Sequence, residues 1–298
     1  MYTYMRPLWT LLLPSRAHNG ILNTDMSTNR PTKPTDYFDR HPVFRFDDFA
    51  AVHAADGRRS RQTTASVLKQ HVASGRLLHL RRGLYAAVPR GADPERHQVD
   101  PYLLATQLAP DGVVTGHAAL QFHGKAYSLW NRFHYLTRTR QRRFTFREQE
   151  FVPVQAPPSL RYLTDLGGGV QERPHAGGVV RVTTLERSLV DVLDAPESSG
   201  GWEEVWRSLE MVEFFDLDMV LAYTRTLGSA LTAARVGFFL EQHRGALMVE
   251  AHHLDALRSL APAQPRYLDA RREPGRLVKG WNLVVPERVL GRNWGEVG

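Results

Sequence analysis

Three glycines, Gly57, Gly75 and Gly83, divide residues 46–88 into short pieces, and the size of those pieces limits what this part of the chain can become. Asp36 to Arg40 is long enough for one short helix that ends before Pro42. Phe46, Phe49, Ala50 and His53 recur at helical spacing through Ala55 until Gly57 stops them. Ser60 is placed as an N-cap for a helix running to about Ser74, with Gly75 in the position after the cap. Leu77 to Leu80 and Leu84 to Val88 then read as two strands folded back around Arg81-Arg82-Gly83. The expected order is three helices followed by a hairpin with arginines at its tip, the order of a winged helix-turn-helix.

Charge follows the same division. Of a net charge of +7, residues 1–35 contribute +3 and residues 36–92 contribute +5, residues 93–99 give −1, and residues 100–298 cancel. Gly57 to Ala92 holds eight basic residues and no Asp or Glu. Such a segment attracts a polyanion through counterion release, and nucleic acid is the usual one. On the third helix, Ala65, Leu68 and Val72 fall on one face, the expected core stripe. Gln62, Thr63, Ser66 and Gln70 fall on the other, where they can read base edges in a major groove. Arg58, Arg59 and Arg61 lead into this helix, Lys69 flanks it, and Arg81 and Arg82 sit on the wing, all suited to phosphates.

At 298 residues the chain is long enough for about two domains at roughly 150 residues each. Residues 1–35, crowded with Thr, Ser, Asn and Pro, read as a leader, either a disordered arm or an extension upstream of a start at Met26. Residues 36–92 are expected to form the DNA-binding domain and residues 93–298 a larger mixed α/β domain ending in a helical, bundle-like region, an α+β protein overall. In the larger part, Pro101 to Ala109 and Thr115 to His123 read as helices. Phe133 to Arg138, Arg143 to Arg147, Phe151 to Val154 and Val179 to Val182 read as strands. Five arginines between Arg138 and Arg147 line a solvated strand edge or extend a nucleic-acid surface. Thr183 and Glu186 have capping-box spacing for a helix to Leu193, further helices follow to Leu260, and Trp281 to Val285 is a last strand.

Catalytic signatures fail. Cysteine is absent, which removes disulfides, thiolate metal sites and thiol nucleophiles and fits a reducing cytoplasm. No apolar run approaches the roughly 20 residues of a membrane span. His117 with His123, and His252 with His253, point to different faces of their helices. Asp216 and Asp218 form a D-x-D, but Asp216 is better used as a helix cap, and Glu186, Asp191 and Asp194 are not spaced to share a metal. Ten acidic residues lie between Glu186 and Asp218 against only Arg187 and Arg207, either a solvated face or a docking surface for a basic partner.

Several segments, in order, resemble the AbiEi family of antitoxins. They are Gly75-Arg76-Leu77, Arg81-Arg82-Gly83-Leu84-Tyr85, Asp100-Pro101-Tyr102-Leu103, and Ala118 to Gly124 with Ala126-Tyr127-Ser128. Thr183 to Asp191, Gly200-Gly201-Trp202-Glu203-Glu204, Ala234 to Glu241 and Trp281-Asn282-Leu283 complete the set. The resemblance covers about residues 36–295 and does not need the leader. It implies a type IV toxin–antitoxin protein, and with the catalytic signatures failing, no enzymatic activity, metal or cofactor is expected. Its winged helix would bind inverted repeats in double-stranded DNA at its own promoter and repress transcription. Its C-terminal domain would counteract a nucleotidyltransferase-like toxin without requiring a stable complex. Glu186, Arg187 and Asp191 would serve antitoxicity or hold that domain together. On this reading a fragment ending at residue 92 keeps weak DNA binding and loses antitoxicity. Two other readings stay open: a stand-alone regulator with a ligand-sensing or oligomerising C-terminal domain, and an enzyme acting on nucleic acid that holds metal in the acidic region.

Overall fold

The structure, a computed structural model, describes residues 34–53, 60–292 and 294. The expected leader up to residue 33 lies outside them, and so do Arg58 and Arg59.

The chain begins with α1 (Pro34–Arg40), β1 (Val43–Arg45), α2 (Phe46–His53), α3 (Arg61–Ala73), β2 (Leu77–Arg81) and β3 (Leu84–Ala87). The ends of α3 are set locally. The Ser60 hydroxyl accepts the Thr63 amide at 3.1 Å. At the other end Gly75 takes φ 72°, while the Gly75 amide donates to the Val72 carbonyl and the Arg76 amide to that of His71. This is the left-handed glycine stop of a Schellman motif. The buried stripe differs from the expected one: Thr64 and Leu68 are buried, and Ala65 is exposed. A threonine can occupy that stripe because its hydroxyl donates to the Ser60 carbonyl at 3.2 Å, leaving no unmet polar group.

The strands form an antiparallel sheet in the order β1-β3-β2, and side-chain alternation makes it two-sided. Phe44, Leu77, Tyr85 and Ala87 face Phe38, Phe49 and Leu68 of the helices. Val43, Leu78, Leu80, Leu84 and Ala86 face the other way, into a second cluster whose remaining members lie between Val99 and Val182. Residues 34–92 and the rest of the described chain thus share one core across the boundary placed at residue 92, and the sheet is covered on both faces. The short strand β1 was not expected. Three residues are too few to show alternation, and its partner β3 defines it.

The second cluster is built on α4 (Pro101–Gln107), β4 (Val113–Val114), α5 (His117–Phe122), β5 (Arg132–Thr137), β6 (Phe144–Phe146), β7 (Gln149–Gln155), α6 (Pro158–Arg161), β8 (Val170–His175) and β9 (Gly178–Thr183). These strands make a mixed six-stranded sheet, β6-β7-β5-β4-β9-β8, in which β5/β7 and β4/β9 are parallel. The β8–β9 hairpin turns through Ala176 and Gly177, both at positive φ, the turn whose twist suits paired strands. Strand β8 carries Pro174 and lies at the sheet edge, where a missing donor is tolerated.

The helices α7 (Leu185–Asp194), α8 (Gly201–Glu210), α9 (Leu217–Leu227), α10 (Ala230–Gln242) and α11 (Ala251–Leu260) follow. A small sheet, β10 (Arg266–Tyr267), β11 (Arg276–Val278) and β12 (Leu283–Val285), and α12 (Glu287–Leu290) close the chain. Helix α10 is buried without a break from Thr232 to Leu240, as a central helix must be. At Gly237 an added Cβ would lie 2.1 Å from the Trp281 ring, which is fully buried. Gly237→Ala is therefore expected to destabilise the protein by about 1–3 kcal/mol through overpacking, read as a lower urea midpoint at unchanged slope. Among the described residues no helix is long and apolar enough to cross a membrane.

Candidate nucleic-acid interface and the Arg187–Asp191 network

Helix α3 presents Arg61, Gln62, Thr63, Ser66, Lys69 and Gln70 to solvent. At about 100° per residue, Gln62, Ser66, Lys69 and Ala73 form one stripe, with Gln70 on its flank. Two of the expected readers are partly occupied. Thr63 Oγ1 shares a hydrogen bond with the Ser60 cap at 3.0 Å, and Ser66 Oγ donates to the Gln62 carbonyl at 3.1 Å. Gln62, Lys69 and Gln70 have no side-chain partner among the described residues. Arg61 lies over the Phe46 ring at 4.6 Å and pairs with Asp47 at 2.7 Å. Both members of that pair are exposed, so a phosphate can replace the aspartate at little cost.

The two arginines expected on a wing part company. A bulge between His79 and Arg81 breaks the alternation of β2 and turns Arg81 toward the shared core. Its Nη2 donates to the Leu108 carbonyl, and its guanidinium lies 5.7 Å from the Phe144 ring centre. Arg45 Nη1 donates beside it to the Gln107 carbonyl at 3.1 Å. Both cations sit at the C-terminal end of α4, where free carbonyls favour positive charge. The expectation that Arg81 contacts phosphate is corrected accordingly: its side chain is half-buried and already used. Arg82 is exposed. The hairpin tip is pinned by the Phe46 amide, which donates to the Gly83 carbonyl at 2.8 Å, beside the ring that Arg61 covers.

The arginines of 138–147 are mostly engaged as well. Arg138 donates to the carbonyls of Arg161 and Leu163, Arg143 pairs with Glu150 at 3.0 Å, and Arg147 donates to those of Pro94 and His97. Arg140 and Arg142 are exposed without a partner among the described residues.

In the C-terminal half, Arg187 is 1% exposed. Its Nη1 donates to the carbonyls of Leu166 and Gly168, its Nε to Asp191 Oδ2 at 3.4 Å, and its guanidinium covers the Tyr223 ring at 4.6 Å. Asp191 also accepts the hydroxyls of Tyr223 at 2.7 Å and Thr115 at 3.0 Å. Burial pushes the Asp191 carboxyl up, against the pull of Arg187 and the two hydroxyls, and burial with Asp191 beside it pushes Tyr223 up. The expected capping box of Thr183 and Glu186 does not form. Thr184 caps α7, Thr183 Oγ1 bonds Ser188 Oγ at 2.8 Å, and Glu186 accepts the Asp216 amide at 3.3 Å. One threonine follows the other, and the strand β9 takes the first.

A second buried network had no signal in the sequence, although its Ser128 and Glu204 lie in the resemblance segments. Glu204 accepts from His117 Nε2 at 3.0 Å, from the Ser128 hydroxyl at 2.7 Å and amide at 3.0 Å, and from Ser208 Oγ at 3.1 Å. Trp130 stacks on His117 at 3.8 Å and donates its indole N–H to Ser128 Oγ. Burial holds the His117 imidazole below its ordinary value; burial also pushes Glu204 upward, but its hydrogen bonds outweigh that and leave it low. These groups fasten residues 126–130 to α5 and α8, a structural task.

Of the ten acidic residues from Glu186 to Asp218, Glu197, Glu203, Glu210 and Glu213 pair with Arg271, Arg207, His243 and Lys125. The fold also brings Asp218 to His252 and His253, with ligand atoms within 4.8 Å of one another. His253 Nδ1 accepts the Glu250 amide at 3.1 Å, so the neutral ring carries its proton on Nε2 and has no lone pair there for a metal. No family model and no curated protein matches the chain.

Proposed function

We propose that residues 34–92 are a winged helix-turn-helix, with α2 and α3 as the two helices and β2–β3 as the wing, and that the chain binds double-stranded DNA at its own promoter as a repressor. The observation that carries this reading is the exposed stripe of α3. It offers Gln62, Lys69 and Gln70 with unused hydrogen-bonding capacity, no acidic side chain, and Arg61 at its margin, and Arg82 is exposed on the hairpin tip that bonds the Phe46 amide. Glutamine matches the donor–acceptor pair of an adenine edge, and the arginines suit the flanking phosphates.

The second half of the proposal, that the chain is an AbiEi-type antitoxin opposing a nucleotidyltransferase-like toxin, rests on the resemblance. Co-expression with a nucleotidyltransferase-like gene found beside it tests this half: restored growth supports it, and unrelieved toxicity overturns it.

Fluorescence anisotropy with DNA from upstream of the gene, against scrambled DNA at several salt concentrations, tests the DNA-binding half. The native sequence is expected to bind more tightly, and equal affinity for both overturns the reading. Arg82→Ala is expected to flatten the slope of log K against log salt by about 0.9, one phosphate contact. Arg81→Ala is expected to leave that slope unchanged and to cost about 1–3 kcal/mol of folding stability, because the Leu108 carbonyl loses its donor. Gln70→Ala is expected to relax sequence preference by about 1–3 kcal/mol at one base pair, seen with single-substitution DNA variants.

A further inference from the structure

Between the six-stranded sheet and the helices α7 and α9 lies a cavity of about 180 Å³ that neither the DNA-binding surface nor the Glu204 network uses. A single water needs only about 10–15 Å³ measured in this way, so the space is large enough for a small organic molecule. Its floor is the buried Thr115, His134 and Leu136, and its mouth is the exposed Gln155, Asp194 and Ser198.

Three observations give it a chemical character. First, Asp191 and Asp194 both line it from the last turn of α7, a turn that holds no basic residue. The C-terminal end of a helix is already negative and favours cations, so two carboxylates there deepen an unfavourable field. Arg235 donates to the Leu193 and Asp194 carbonyls, the Thr232 hydroxyl to Asp194 Oδ1 and Arg187 to Asp191, yet the described residues lining the cavity include no Lys or Arg. Second, His134 lines it at 6% exposure, and its Nδ1 has no hydrogen-bond partner. A buried imidazole left unpaired calls for a polar occupant. Burial, with Arg132 nearby, pushes this ring down to about 4, so it adds no positive charge at pH 7. Third, part of the wall is apolar: Leu136, Val154, Leu160 and Leu227.

We propose that this cavity binds a small organic cation, an alkylamine, with its ammonium held at Asp191, with Asp194 beside it, and donating to the unpaired Nδ1 of His134, and its hydrocarbon part lying against Leu136, Val154 and Leu160. A few convergent polar groups over an apolar wall are what fix the orientation of a small ligand. The site does not depend on the DNA-binding reading.

Thermal unfolding and calorimetric titration of the full-length protein with n-butylamine test it, with butyrate and n-butanol at matched concentration and ionic strength as controls. The amine raises Tm progressively, as a ligand of the folded state must, and the controls do not. Asp194→Asn, at an exposed position, weakens amine binding by on the order of tenfold. Ser198→Trp, which narrows the mouth from an equally exposed position, weakens it independently, so a folding defect in one variant does not decide the matter. No rise in Tm with the amine overturns the proposal and leaves a water-filled cavity. An equal rise with n-butanol, or undiminished binding in both variants, overturns it as well.

Discussion

Arg187→Ala is expected to lower the unfolding free energy of the full-length protein by about 3–5 kcal/mol, a large part of the roughly 5–15 kcal/mol a folded chain has. The Arg187 guanidinium is buried, and the Leu166 and Gly168 carbonyls take their hydrogen bonds from it. Removing it leaves those two acceptors unmet and leaves Asp191 with only the Tyr223 and Thr115 hydroxyls. Lysine is no remedy, because one ammonium cannot reach two carbonyls and a carboxylate in the planar fork that arginine offers. Asp191→Asn is expected to cost less, since its amide oxygen can keep the Oδ2 place that accepts Arg187 Nε and the Thr115 hydroxyl, while its NH2 donates to the Tyr223 hydroxyl oxygen. Urea unfolding of the three variants gives the order directly. A loss below about 1 kcal/mol for Arg187→Ala contradicts the buried network, because that is the range of exposed pairs. The ordering also bears on the proposed antitoxicity. A variant at Arg187 that fails to protect cells is expected to be a poorly folded one, and soluble protein level has to be measured alongside growth.

What the sequence disclosed and what it hid divide along physical lines. The ends of α3 were legible because capping is local: Ser60 and Gly75 act within a few residues of themselves. The strands β5, β6, β7 and β9 were legible from their alternation or apolar content. Polar Gln62, Lys69 and Gln70 were correctly expected on the surface, since an unpartnered polar side chain belongs in water. Arg81 was misread because a single bulge reverses the face of every residue beyond it, and nothing in Leu77 to Arg81 announces one. The burial of Thr64, in place of the expected Ala65, gave no signal because the partner that lets it be buried is a backbone carbonyl. The convergence of His117, Ser128, Glu204 and Ser208, and of Thr115, Asp191 and Tyr223, depends on contacts between distant segments, which spacing along a chain does not encode.

A fragment of residues 1–92, expected from sequence to keep weak DNA binding, is now expected to show no cooperative thermal transition and no preference between native and scrambled DNA. The reason is the second face of the β1-β3-β2 sheet. In the full chain Val43, Leu84 and Ala86 are buried there, with Leu78 and Leu80 packed against the same cluster, and every other member of it comes from residue 99 or beyond. Exposing Val43 and Leu84 alone forfeits about 3–6 kcal/mol, and a piece of this size has little stability to lose. Losing α4 also removes the Gln107 and Leu108 carbonyls and releases Arg45 and Arg81 into solvent. Any DNA binding left in the fragment should then be more salt-sensitive per molecule than in the full chain, and less selective, because freed arginines add phosphate contacts and a loosened α3 loses its register. Circular dichroism melts and anisotropy at several salt concentrations separate the outcomes. A sharp melt with native sequence preference would mean that residues 1–92 fold alone and that the shared core is a contact between two finished domains; a featureless melt with steep, indiscriminate binding would mean that the larger sheet is part of what positions the reading helix.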